Sequence, residues 1–290
     1  MGQPPGTVSR ILWHFTGGPA WNSIENRQGS KPKPREEAYK ALLSILESKE
    51  LRLGQYRELV KVDLPKRRHN KRTGKMEEIK GTTVTMTSSR VCCLSDIPVA
   101  HLSYHAKRYG KFALGFHRDA AVRHGFNPVF YTIHKARVLR SLRHVYRQMG
   151  QAGANSIDSV ADDIDSSISD LKDLECNNSR DVERSLDGSV DDLKEEARTI
   201  EDAISDAKES FSEFLAFVKT FDNEEFSSIY CEREWRSTKA FSFDVEDLAM
   251  IVLPKGGTGT HYFNEFVDRA RTLKLPRSIP VVPWEDLIEH

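Results

Sequence analysis

The chain has 290 residues, of which 38% are hydrophobic and 30% charged, with 43 basic side chains balanced against 43 acidic ones. That length gives one large domain or one domain carrying an insertion, and the composition excludes a disordered or low-complexity protein. No apolar run approaches the roughly 20 residues of a membrane span, the start MGQPPGTVSR has no apolar core of a signal peptide, and four cysteines without ligand spacing point to reduced thiols, so the expectation is a cytoplasmic protein.

In chain order, Ile11–Thr16 reads as a short strand broken by Gly17-Gly18-Pro19. Glu37 to Glu50 then carries Ala41, Leu42, Ile45 and Leu46 at helical spacing. Leu51–Gly54 is a short edge strand. Residues 52–80 hold ten Lys/Arg and four Asp/Glu, and the densest part, Lys61–Lys80, reads as a loop or hairpin around Thr73-Gly74. Gly81–Ser88 and Val91–Leu94 follow as strands. Ser95-Asp96-Ile97-Pro98 stops the second of these, because proline donates nothing to a ladder and restricts its predecessor. A short helix bearing His101, Tyr104 and His105 ends at Gly110, and Phe112–Phe116 is a strand with Gly115 inside it, where a missing side chain lets a neighbour come close. Asn127–Ile133 is a further strand.

From Lys135 the period changes. Val138, Leu142, Val145 and Met149 step by four and three, and a second array from Val182 to Val218 keeps a seven-residue repeat. Two arms of similar length about Cys176–Ser179 predict a long antiparallel helical (coiled-coil) hairpin over 135–220. Residues 155–213 carry nineteen Asp/Glu against six Lys/Arg. Asp247–Leu253, the amphipathic segment His261–Leu273, Pro280–Pro283 and Trp284–His290 return to short strands and helices. The predicted fold class is therefore α+β: a small mixed sheet with short helices, built from 1–134 and 221–290 and interrupted by the hairpin.

The stretch Val91–Phe116, VCCLSDIPVAHLSYHAKRYGKFALGF, resembles the core of the AbiGi-type abortive-infection family of bacterial phage-resistance proteins, with further likeness at Trp13-His14-Phe15-Thr16, Asn127-Pro128-Val129, Glu232-Arg233-Glu234-Trp235-Arg236 and Ile279–Trp284. The resemblance implies a component of an anti-phage, toxin–antitoxin type system, of antitoxin character. Its partner would be another protein of the system or a second copy engaged through the hairpin. Lys66, Arg67, Arg68, Lys71 and Arg72 offer a nucleic-acid contact, without aromatic residues for base stacking.

An alternative enzymatic reading rests on three separated pieces. His14 with Thr16, Tyr104, and Glu232 with Glu234 resemble the layout of the ADP-ribosyltransferase fold. That resemblance implies NAD as cofactor, held by His14 and Thr16, with Tyr104 in the cleft and Glu234, backed by Glu232, stabilising an oxocarbenium-like transition state. Against it, Glu-Arg-Glu-Trp-Arg equally suits a salt-bridged sheet edge. His101, His105 and Asp96 offer an alternative metal site, with the two histidines on one helix face, but the glutamate of a metalloprotease motif is missing and no metal is expected. Cys92 and Cys93 have no basic neighbour to activate a thiolate.

Overall fold

The structure is a computed structural model that describes residues 9–22, 27–29, 31–70, 72–155, 179–221, 233–256, 261–273 and 275–288. Its strands are β1 (Ile11–Phe15), β2 (Trp21–Asn22), β3 (Arg27–Gln28), β4 (Glu50–Leu51), β5 (Arg57–His69), β6 (Met76–Arg90), β7 (Cys92–Ser95), β8 (Ala113–His117), β9 (Asn127–Pro128), β10 (Phe130–Ile133), β11 (Val218–Phe221), β12 (Glu234–Ser237), β13 (Phe241–Ser242), β14 (Leu248–Leu253) and β15 (Val281–Pro283). The helices are α1 (Arg35–Ser48), α2 (Leu102–Tyr109), α3 (Arg118–Arg123), α4 (Arg137–Asn155), α5 (Ser179–Ala216), α6 (Tyr262–Ala270) and α7 (Trp284–Ile288). Among the described residues no helix is long and apolar enough to cross a membrane.

The chain divides into two compact units, residues 1–60, 87–133 and 215–290 in the first and 61–86 with 134–214 in the second. The first is built on a seven-stranded mixed sheet in the order β15-β14-β8-β1-β7-β12-β9, antiparallel throughout except for β14 with β15. Strand alternation separates its two faces. Leu12, Leu94, Leu114, Phe116 and Ile251 pack with α1 residues Tyr39, Leu42 and Leu46 and α6 residue Phe266. Trp13, Ala113 and Val252 pack on the other face with Leu102 of α2 and Trp284 of α7. Each fully buried Leu, Ile, Val or Phe side chain among them is worth about 1.5–3 kcal/mol, so the helix layers on both faces stabilise the sheet. Gly115 is explained by this packing: a Cβ there would come within 2.7 Å of Ile11 and 3.0 Å of the Trp13 ring. The space is filled by protein.

The second unit holds the outer part of the β5–β6 hairpin together with α4 and α5. The basic stretch expected as a loop or hairpin is thus a long two-stranded ribbon, and it clusters with the helices rather than with the sheet. Of the predicted helical hairpin, Arg137–Asn155 and Ser179–Ala216 are helical, with the ring of Tyr146 5.6 Å from that of Phe211. The arms around Cys176–Ser179 are not shown as one coiled coil, because 156–178 lie outside the described residues.

Candidate functional site

β12 is the strand on which the polar residues of the sheet converge. Alternation sends Glu234 and Arg236 to the same face, and Glu234 pairs in register with Ser95, which pairs with Trp13. Arg236 is wholly buried. Its guanidinium donates to Glu58 Oε2 at 2.6 Å, to Glu234 Oε2 at 2.8 Å and to the Ala216 carbonyl, in the last turn of α5, at 2.6 Å. A cation on that carbonyl also suits the negative end of the helix dipole. Lys219 of β11 donates to Glu234 at 3.0 Å, Tyr56 donates its hydroxyl proton to Glu58 at 2.6 Å, and the Glu234 backbone N–H donates to the Tyr131 hydroxyl at 2.8 Å. The Arg236 guanidinium also lies over the Tyr56 ring, 5.6 Å from its centroid.

Two cations and two carboxylates therefore share one buried site. Burial pushes the Glu234 carboxyl up, but the adjacent Arg236 and Lys219 outweigh burial and hold it well below the usual carboxylate range. Arg236 has the converse balance: burial pulls it down, and Glu234 with Glu58 raises it. Burial, joined by the Glu58 charge, raises Tyr56. Burial likewise raises the Cys93 thiol and takes Cys92 to about 12, so both stay protonated at neutral pH. The network is self-compensating, as a buried charge cluster must be to repay desolvation.

The residues expected to line an NAD cleft do not gather around Glu234. His14 pairs with Leu114 and alternates with Trp13, so it lies on the opposite face of the sheet from Glu234. Its Nδ1 donates to the Cys93 carbonyl at 3.1 Å, and burial keeps the ring neutral by lowering its pKa. Thr16 is buried and donates its hydroxyl to the Ala38 carbonyl at 2.7 Å, fastening the end of β1 to α1. Tyr104 is 56% exposed on α2. Glu232 lies outside the described residues. The geometry thus gives the transferase layout no support. His105 is buried, stacked on Tyr109 at 4.3 Å and 4.8 Å from Phe15. Among the described residues no group of His, Cys, Asp and Glu could hold a metal ion.

A second polar lock closes the Asp-Ile-Pro turn. Arg233 donates to Asp96 Oδ2 at 2.9 Å, and the Asp96 backbone N–H donates to the Arg233 carbonyl at 2.9 Å. Arg233 adopts φ 40°, a left-handed conformation costly for a residue with a Cβ and held here by that reciprocal pairing. Burial raises Asp96, and the Arg233 charge opposes it.

These two locks join the DIP turn, Arg233 with β12, and the start of β5. The profile of the family described as "Putative abortive phage resistance protein AbiGi, antitoxin" matches residues 58–264, which include every charged member of both. The chain belongs to this family. An abortive-infection role in phage defence follows for this AbiGi family member. No curated protein and no solved structure matches it. Glu58, Lys219, Tyr56 and Tyr131 are network members that the sequence reading missed; the one available signal was a glutamate interrupting the valine-rich start of β5.

Proposed function

We propose that this AbiGi protein is the antitoxin-type, binding component of its abortive-infection system and acts by occupying a protein partner rather than by turnover. The observation that carries this reading is the state of Glu234: its carboxylate is held by Lys219 and Arg236 and is bonded into the fold, which is the chemistry of a structural anion. A transferase acid has to face a substrate cleft, and NAD has no part in this reading.

The partner surface in this reading is α5, which presents exposed Glu195, Glu201, Asp202, Asp206 and Glu209 beside the exposed apolar residues Ile200 and Phe214. Charge complementarity selects a protein with a basic face. The paired helical arms, closed into a full hairpin, would extend that surface and could equally serve a second copy of the chain. The test uses the complete defence system in cells. Replacing Glu201, Asp202, Asp206 and Glu209 by the corresponding amides should abolish protection or release uncontrolled toxicity, while purified wild-type protein leaves NAD intact. Release of nicotinamide by the purified protein, or normal defence by the amide variant, overturns the reading.

A further inference from the structure

The second unit holds a charge pattern that the antitoxin reading leaves unused. At about 100° per residue, Arg137, Arg140, Arg143, His144 and Arg147 of α4 fall within roughly 120° of arc. Val138, Leu142, Val145, Tyr146 and Met149 fall within roughly 100° on the opposite side. The contact with α5 is made from the apolar side, by Tyr146 on Phe211, so the arginine face is turned away from the acidic helix. Arg137 and Arg147 are exposed, Arg140 and Arg143 partly so, and among the described residues none of the four has a carboxylate partner.

The same unit carries the basic end of the β5–β6 ribbon, where Lys66, Arg68, Arg72 and Lys75 are exposed and likewise without carboxylate partners among the described residues. The ribbon is fastened to the chain just ahead of α4 by the Asp63 backbone N–H, which donates to the His134 carbonyl at 3.0 Å. Uncompensated cations on two neighbouring elements of one compact unit form a surface for a polyanion.

We infer that this unit binds double-stranded DNA, with the arginine face of α4 as a backbone-reading helix and the basic ribbon as a second phosphate contact. Guanidinium groups at helical spacing bind phosphate oxygens in bidentate fashion. The chemistry selects a duplex over a single strand because no Phe, Tyr or Trp lies within the arginine arc or among the basic ribbon residues as a platform for successive bases. It selects DNA over RNA because a helix about 10–12 Å across fits the roughly 12 Å major groove of B-form DNA, whereas the A-form groove is deep and narrow.

The experiment measures anisotropy of a labelled random-sequence DNA duplex with the full chain across a salt series. Arg140→Gln/Arg143→Gln/Arg147→Gln should weaken binding by about tenfold or more at ~0.1 M salt and reduce the slope of log K against log salt by roughly 2–3. The triple Arg→Lys variant, which keeps the charges but not the bidentate fork, should keep the wild-type salt slope and bind with an affinity between wild type and the Gln variant, and circular dichroism of both variants confirms that α4 still folds. Lys66→Gln/Arg68→Gln/Arg72→Gln should also weaken binding. Loss in the ribbon variant alone overturns the role of α4. Absence of salt-dependent duplex binding, or equal affinity for an RNA duplex or a single strand, overturns the assignment to DNA, and neither result bears on the protein-partner reading of α5.

Discussion

Arg236 carries its charge at zero exposure, and its worth depends on the partners it keeps. Replacing it by methionine leaves Glu58 and Glu234 buried together without their shared cation, so chemical denaturation should show a loss of about 3–5 kcal/mol, far more than any surface ion pair contributes. Glu234 adds a pH dependence of known sign. Its folded pKa lies below the ordinary 4.5, so its contribution is complete above that value and is lost as pH falls through the folded one. Glu234→Gln should therefore flatten the acid limb of stability against pH while lowering stability at neutral pH. His14 acts at a higher window. Its folded pKa lies below 6.5, so stability is complete above 6.5 and declines as pH falls below it, because the unfolded chain takes up a proton that the partly buried, desolvated ring does not. Urea titrations at about pH 7.5 and about pH 5.5 should differ less for His14→Gln than for wild type.

At the level of elements, β12 shows how far a local pattern reaches. Period-two alternation puts Glu234 and Arg236 on one face. It cannot predict that Arg236 will meet Glu58, 178 positions away, because that contact exists only once β5 has been brought beside β12. The ribbon has a comparable hidden constraint at Gly81, where a Cβ would overlap the Leu64 carbonyl of the facing strand. Gly81→Ala should therefore force the two strands apart at a cost of about 1–3 kcal/mol. Hydrogen exchange should report the opening in β5 and β6 while the amides of β8 and β14 keep their protection.

For the whole molecule, the second unit enters the sheet unit's sequence twice, at 61–86 and at 134–214. The ends of the longer insertion are near each other because β10 and β11 pair in parallel, Phe130 with Val218 and Ile133 with Phe221. That register leaves Ile133 about 10 Å from Val218, a gap that a short Gly/Ser linker spans. Replacing residues 137–212 by such a linker should leave a sheet unit that still unfolds cooperatively, with the Arg236 bond to the Ala216 carbonyl kept. Duplex binding should drop sharply in the same variant. A linker variant that fails to fold would mean that the helices supply stability the sheet core lacks.

The sequence by itself determined a mixed α and β fold, several of its short strands and helices, the helical character of the regions flanking the polar middle, and the family, because periodicity and a long local motif are properties of neighbouring residues. Tertiary structure alone decided what the polar residues are for. His14 and Glu234 sit on strands separated by β7, and one residue of register is enough to send them to opposite faces. Glu58 and Lys219 become partners of β12 only through long-range pairing. Whether a carboxylate serves chemistry or architecture depends on which cations the fold brings to it, and those cations lie far away in sequence.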